Sequence, residues 1–251
     1  MFPRLIPSFL LAGLTALSLS VHAGEAAVAV AANFLAPMKQ LVPRFEQATG
    51  HVLVLSSGST GKFYAQIKNG APFDVLLAAD DETPARLMRE GDAVRTQTYA
   101  VGKLALWSAD PARLDGSDAL LRSGAYNRLA IANPRLAPYG AAALEVLEKL
   151  GLAAPAKTKF VMGENIGQTH QFVASGNAEI GFVALSQVWQ DGKLTSGSAW
   201  LVPPTLYTPI RQDAALLKRG EGNAAAHAFL DFLKTPTAHA VIRSYGYELW
   251  P

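Results

Sequence analysis

The chain has 251 residues, half of them hydrophobic and 17% charged, with a formal net charge of +2. That is apolar material for a large core, in one domain or two. Balanced charge with no basic run or aromatic–basic interleaving excludes nucleic acid as a partner, and the lack of cysteine excludes thiolate metal sites, cysteine nucleophiles and a lipidated cysteine.

Residues 1–23 read as a secretory leader. Arg4 supplies the positive start, residues 5–19 are mostly apolar, and Val21-His22-Ala23 leads to a cut expected after Ala23. The alternative, an uncleaved anchor, fits poorly: Pro7, Ser8, Gly13, Thr15 and Ser18 interrupt the segment. Losing Arg4 with the leader lowers the net charge from +2 to +1. The mature chain is expected in a bacterial periplasm, free in solution and monomeric.

Beyond the leader, apolar runs alternate with helical patterns. Residues 26–32, "AAVAVAA", read as a buried strand. Asn33 follows, then a helical stretch to Thr49 with a stop at Gly50; Pro43 inside it predicts a kink or a break. Strands at 51–57 and 74–79 alternate with helices at 58–68 and 83–90. Such repeats predict a parallel sheet covered by helices. A long strand is predicted over 98–108, then a looser region over 110–128. Alternation restarts with strand 129–133 and helix 141–150, strand 159–163 and helix 166–174, and strand 180–185 with a short helix near Val188. After Pro203-Pro204 a second long strand, 208–218, precedes helices at 224–233 and 237–244.

This order predicts an α/β protein of two lobes, one from 24–100 with 211–251 and the other from 101–210. Each is a mostly parallel sheet flanked by helices, and two crossing strands form a hinge. Ligand then belongs in the cleft, beyond the carboxyl ends of the strands.

Four strand-to-helix corners face such a cleft: Asn33, "SSGSTG" with Ser59 and Thr60, "PYG" with Tyr139, and "ENIG" with Ile166. A helix start leaves N–H groups unpartnered at the positive end of its dipole. Ser and Thr there ordinarily cap the helix, but the same donors can hold an anion. None of the four corners contains arginine or an inner carboxylate, and Lys62 reads as solvated. Donors without acceptors favour a fully ionised tetrahedral dianion over a protonated one.

Other chemistry reads poorly. "GSTGK" lacks the spacing of a phosphate-binding loop. Asp80-Asp81-Glu82 reads as a helix cap with solvated charge, not a metal site. A hydrolase using Ser57 or Ser59 needs a nearby histidine base, and no G-x-S-x-G motif supplies the context.

The chain resembles the periplasmic molybdate-binding proteins, the solute receptors of molybdate ABC importers. The resemblance rests on "AANFLAPMKQLVPRFEQATG", "SSGSTGKFYAQIKNGAPFDVLLAAD", "YAVGKLALWS", "NPRLAPYG", "GENIGQTHQFVASGNAEIGFVAL" and "YTPIRQDAALLK". It implies the type II-like two-lobed receptor fold, molybdate and tungstate as ligands, an importer permease as partner and no cofactor. It places ligand contacts at Asn33, at Thr60 with Ser59 beside it, and at the backbone N–H groups of Tyr139 and Ile166. Molybdenum would be held only as its oxyanion. A family tyrosine falls on Ala184, which has no hydroxyl to offer. A receptor tuned to another oxyanion, chiefly sulfate, is the alternative.

Overall fold

The computed structural model describes residues 23–250. Residues 1–22 of the leader lie outside the described residues. In chain order the first elements are β1 (Glu25–Ala31), a short 3-10 turn (Ala32–Phe34), α1 (Leu35–Thr49), β2 (Val52–Gly58), α2 (Thr60–Lys68), β3 (Val75–Leu77), α3 (Glu82–Glu90) and β4 (Ala93–Gly102). There follow β5 (Leu104–Ser108), α4 (Ala119–Ser123), β6 (Leu129–Ala132), α5 (Pro138–Lys149), α6 (Ala153–Lys157), β7 (Phe160–Gly163), α7 (Ile166–Ala174) and β8 (Ile180–Ala184). The remainder is a small hairpin of β9 (Trp189–Gln190) and β10 (Lys193–Leu194), then β11 (Ser198–Leu201), β12 (Ile210–Leu217), α8 (Ala224–Phe232) and α9 (Pro236–Ser244).

Two five-stranded sheets result, in the orders β2-β1-β3-β12-β4 and β11-β5-β8-β6-β7. In the first, only β12 runs against the other strands. In the second, only β5 does. Each reversed strand is the one that enters from the other sheet, so the crossing itself accounts for the reversal. The expected mostly parallel sheets are therefore present, each with one antiparallel strand inserted.

The predicted strand over 98–108 is two strands, β4 and β5, in different sheets with only Lys103 between them. The apolar residues on both sides, Tyr99 and Ala100 in β4 and Leu104 to Trp107 in β5, are buried, so the run reads as continuous although the two halves belong to different sheets. The second crossing is not a strand: residues 202–209 make it, with a 3-10 turn at Pro204–Leu206. Helix α4 lies in the region read as irregular, and α6 and β11 carried too short a pattern to be predicted.

Period-two alternation divides the first core. Val28 and Val30 pack with Met38, Leu41, Phe45 and Phe229 on one face, and Ala29 packs with Phe63, Leu76 and Leu87 on the other. The second sheet is covered likewise, by Val146 and Leu147 of α5 on one face and Val173 of α7 on the other. Each of the larger side chains among them, valine, leucine, methionine or phenylalanine, contributes about 1.5–3 kcal/mol when fully buried.

Helix α1 runs unbroken through Pro43, against the expected break. Pro43 lies on the exposed face, where water can reach the carbonyls it disturbs, and Arg44 Nη1 donates to the Gln40 carbonyl at 2.8 Å. Pro43→Ala is expected to stabilise the protein by about 1–2 kcal/mol, the gain in helix propensity less the unfolded-state rigidity that proline supplies. A denaturant titration showing no gain would mean that the helix carries no such penalty.

Candidate ligand site

The carboxyl ends of β1 and β2 meet those of β6 and β7 across the interlobe cleft. Asn33 follows β1 and is 1% exposed. Ser59, extended at φ −89° and ψ 149°, precedes α2, and Thr60 is its first residue. In the facing lobe Pro138 begins α5, followed by Tyr139, which is fully buried. Proline suits that first position because its missing N–H is not needed there. Ile166 begins α7, whose N-cap Asn165 accepts from Gln168 N at 2.9 Å.

All five predicted residues, Asn33, Ser59, Thr60, Tyr139 and Ile166, line one small cavity with Ala31, Ala32, Gly58, Ala79, Ala137, Pro138 and Asn165. Its volume is about 10 Å³, on the scale of one water-sized sphere and far below that of a metabolite pocket. No lining residue carries a formal charge.

Capping does not explain the hydroxyls. Ser59 makes no side-chain cap bond, and its buried Oγ has no partner among the described residues. Thr60 Oγ1 accepts from Ala79 N at 2.9 Å, which leaves its own hydrogen to donate. As first-turn groups, the N–H groups of Thr60, Tyr139 and Ile166 have no intrahelical partner. Three helix dipoles thus present positive ends to one buried point. Gln187 Nε2 holds the Ile166 carbonyl at 3.0 Å and fixes that corner. Ala184 is buried in β8 and does not line the cavity, so the family tyrosine position supplies no donor here.

The lobes are in contact around this point. Gly61 N donates to the Leu136 carbonyl at 2.9 Å, and Ser186 Oγ donates to the Asn33 carbonyl at 2.8 Å. Lys62, expected to be solvated, is exposed but paired across the cleft with Glu164 at 2.6 Å. An exposed pair of this kind adds at most about 1 kcal/mol.

Behind the cavity lies a buried polar cluster that sequence reasoning missed: Tyr99, Gln212, Tyr247 and Ser186. Gln212 was detectable in principle, as an amide inside an otherwise apolar strand; Tyr247 carried no such signal. Burial raises the hydroxyl pKa of Tyr99, Tyr139 and Tyr247, so all three stay protonated.

A larger cavity of about 380 Å³ adjoins the small one, lined by Asp80, Asp81, Glu82 and Glu145 besides Arg135 and Arg211. Its carboxylates oppose an anion. Asp80 caps locally, accepting from Thr83 N at 2.8 Å, and burial raises its pKa.

Two lobes closed on a small cavity of neutral donors define a solute receptor. The chain belongs to the bacterial extracellular solute-binding proteins, whose family model matches residues 26–248. It is 58% identical over 235 residues to the molybdate-binding protein ModA of Azotobacter vinelandii, covering 93% of each chain. It is 51% identical to ModA of Rhodobacter capsulatus, covering 96% of this chain and 97% of that one. Among solved structures, an Azotobacter vinelandii periplasmic molybdate-binding protein superposes with a TM-score of 0.87 at 42% identity, over 90% of this chain and all of that one. The sulfate-binding protein SubI of Mycobacterium tuberculosis shares the fold, with a TM-score of 0.70 at 16% identity.

Proposed function

We propose that this chain captures molybdate, and tungstate with it, between its lobes and delivers the ion to an ABC importer without chemical change. The observation that carries the reading is the cavity itself: first-turn N–H groups from both lobes, a buried Ser59 hydroxyl without a partner among the described residues, and no charged lining residue. Ser59 Oγ, the Thr60 hydroxyl and the N–H groups of Thr60, Tyr139 and Ile166 are the donors, with Asn33 at the rim. Hydrogen bonds to a charged acceptor contribute about 1.5–3 kcal/mol each, so several together offset the dehydration of a dianion. Donors from both lobes meet the ion only after closure, which supplies the differential affinity that closure requires. The similarity to proteins named for molybdate supports the choice of anion. Residues 1–23 would act as the leader, cut after Ala23, and place a monomer in the periplasm.

Calorimetry of the mature chain with molybdate, tungstate, sulfate and hydrogen phosphate tests this. One molybdate or tungstate per chain is expected, with sulfate weaker and phosphate weakest. Sulfate binding tighter than molybdate would transfer the assignment to the sulfate reading, and silence with all four anions would end it.

A further inference from the structure

The oxygen and nitrogen of an amide exchange places by a half-turn, and surrounding donors and acceptors decide between the two arrangements. With Asn33 Nδ2 facing Gln212 Oε1 at 2.8 Å and the Tyr247 hydroxyl at 2.9 Å, Asn33 Oδ1 is buried without a partner. Asn33 lines the cavity, so with a dianion bound this arrangement would leave an unpaired acceptor in the wall beside it.

A half-turn of both the Asn33 and Gln212 amides turns the unpaired position from an acceptor into a donor. Gln212 Nε2 then donates to Asn33 Oδ1 and to the Tyr99 oxygen, whose own hydrogen goes to the Ala78 carbonyl at 2.8 Å. Gln212 Oε1 takes the hydrogen of the Tyr139 hydroxyl, 3.0 Å away. Tyr247 donates to Asn33 Oδ1, and Ser186 keeps the Asn33 carbonyl. Asn33 Nδ2 then takes the position that has no partner among the described residues, and its N–H groups are left to donate to a bound anion.

We propose that Gln212 is a positioning residue for anion selectivity: it locks the Asn33 amide with its N–H groups toward the cavity and excludes protonated oxyanions. This rests on the oxyanion reading of the site. The lock is assembled from both lobes, because Gln212 and Tyr247 come from the first and Tyr139 and Ser186 from the second. Gly102, at the crossing, leaves room for it: a Cβ there would lie 2.1 Å from the Tyr139 hydroxyl oxygen and 2.5 Å from Gln212 Nε2.

The test is Gln212→Met, which keeps bulk but removes both amide functions. Freed of its lock, Asn33 can present either end. Molybdate affinity is expected to fall about tenfold and hydrogen arsenate affinity to fall less or rise, so that their ratio drops about tenfold. A purely structural role would weaken both anions together, and an unchanged ratio overturns the proposal. Should the variant not fold, ¹⁵N spectra of the wild-type protein decide. One proton of the Asn33 side-chain pair, assigned by its loss in Asn33→Asp, is expected to move downfield with molybdate; a stationary pair overturns the proposal. Wild-type calorimetry with molybdate separates the two claims, since absence of binding there would refute the oxyanion reading and not the lock alone.

Discussion

Ser59→Ala is expected to weaken molybdate binding by about 10- to 100-fold while leaving thermal stability unchanged. Among the described residues Ser59 Oγ has no partner and makes no cap bond, so its removal costs the fold no hydrogen bond seen there. Yet the oxygen is buried in a residue that lines the cavity, where a bound oxyanion would accept its hydrogen. A charge-assisted bond of about 1.5–3 kcal/mol corresponds to that range of affinity. Thr60→Ala should behave differently. Its Oγ1 is the acceptor for Ala79 N at 2.9 Å, and both groups are buried. Losing it strands an N–H at a cost of about 1–3 kcal/mol, so stability and affinity fall together. Calorimetry and thermal melts of the two variants separate these cases. Wild-type affinity in Ser59→Ala would remove that hydroxyl from the site.

The contrast marks what could be read from the residues. Strand-to-helix corners announce themselves, because an apolar run, small or hydroxyl residues and a helical period follow one another. The cavity is built from such corners, and all five residues proposed from them line it. Which of two adjacent hydroxyls is free was not legible, since the acceptor role of Thr60 depends on Ala79, 19 residues away. The lock behind Asn33 was less legible still: Tyr247 lies 214 residues from its partner. The fold showed the same limit. Alternation located the buried strands, but one Gly-Lys step at 102–103 between two apolar stretches did not reveal that the chain changes sheets there. Of the kink or break expected at Pro43, the break is absent: the helix continues through the exposed proline and bears its cost.

Gly61→Ala is expected to weaken binding by about 10- to 100-fold through closure alone, touching no ligand atom. Gly61 lies in the first turn of α2 and meets the opposite lobe backbone to backbone. A Cβ built there falls 3.0 Å from Leu136 Cα and 3.1 Å from its carbonyl oxygen. Backbone cannot step aside as a side chain can, so the methyl must hold the lobes apart. Overpacking of this kind costs about 1–3 kcal/mol, and the cost falls only on the closed state, since the open state has no such contact. The facing pair at Gly167, where a Cβ would approach Ala32 Cβ to 3.3 Å, leaves little slack to tilt the lobes instead. In the open form the same change favours helix α2, because alanine exceeds glycine by up to about 1 kcal/mol within a helix. The ligand-free protein should therefore melt no lower than wild type while its affinity drops, a divergence that a simple folding defect cannot produce. The loss should be in the dissociation rate, because encounter with the open cleft is unaffected. Stopped-flow release of molybdate and small-angle scattering with and without the ion measure both effects; full contraction with wild-type release would show that glycine at this contact is dispensable.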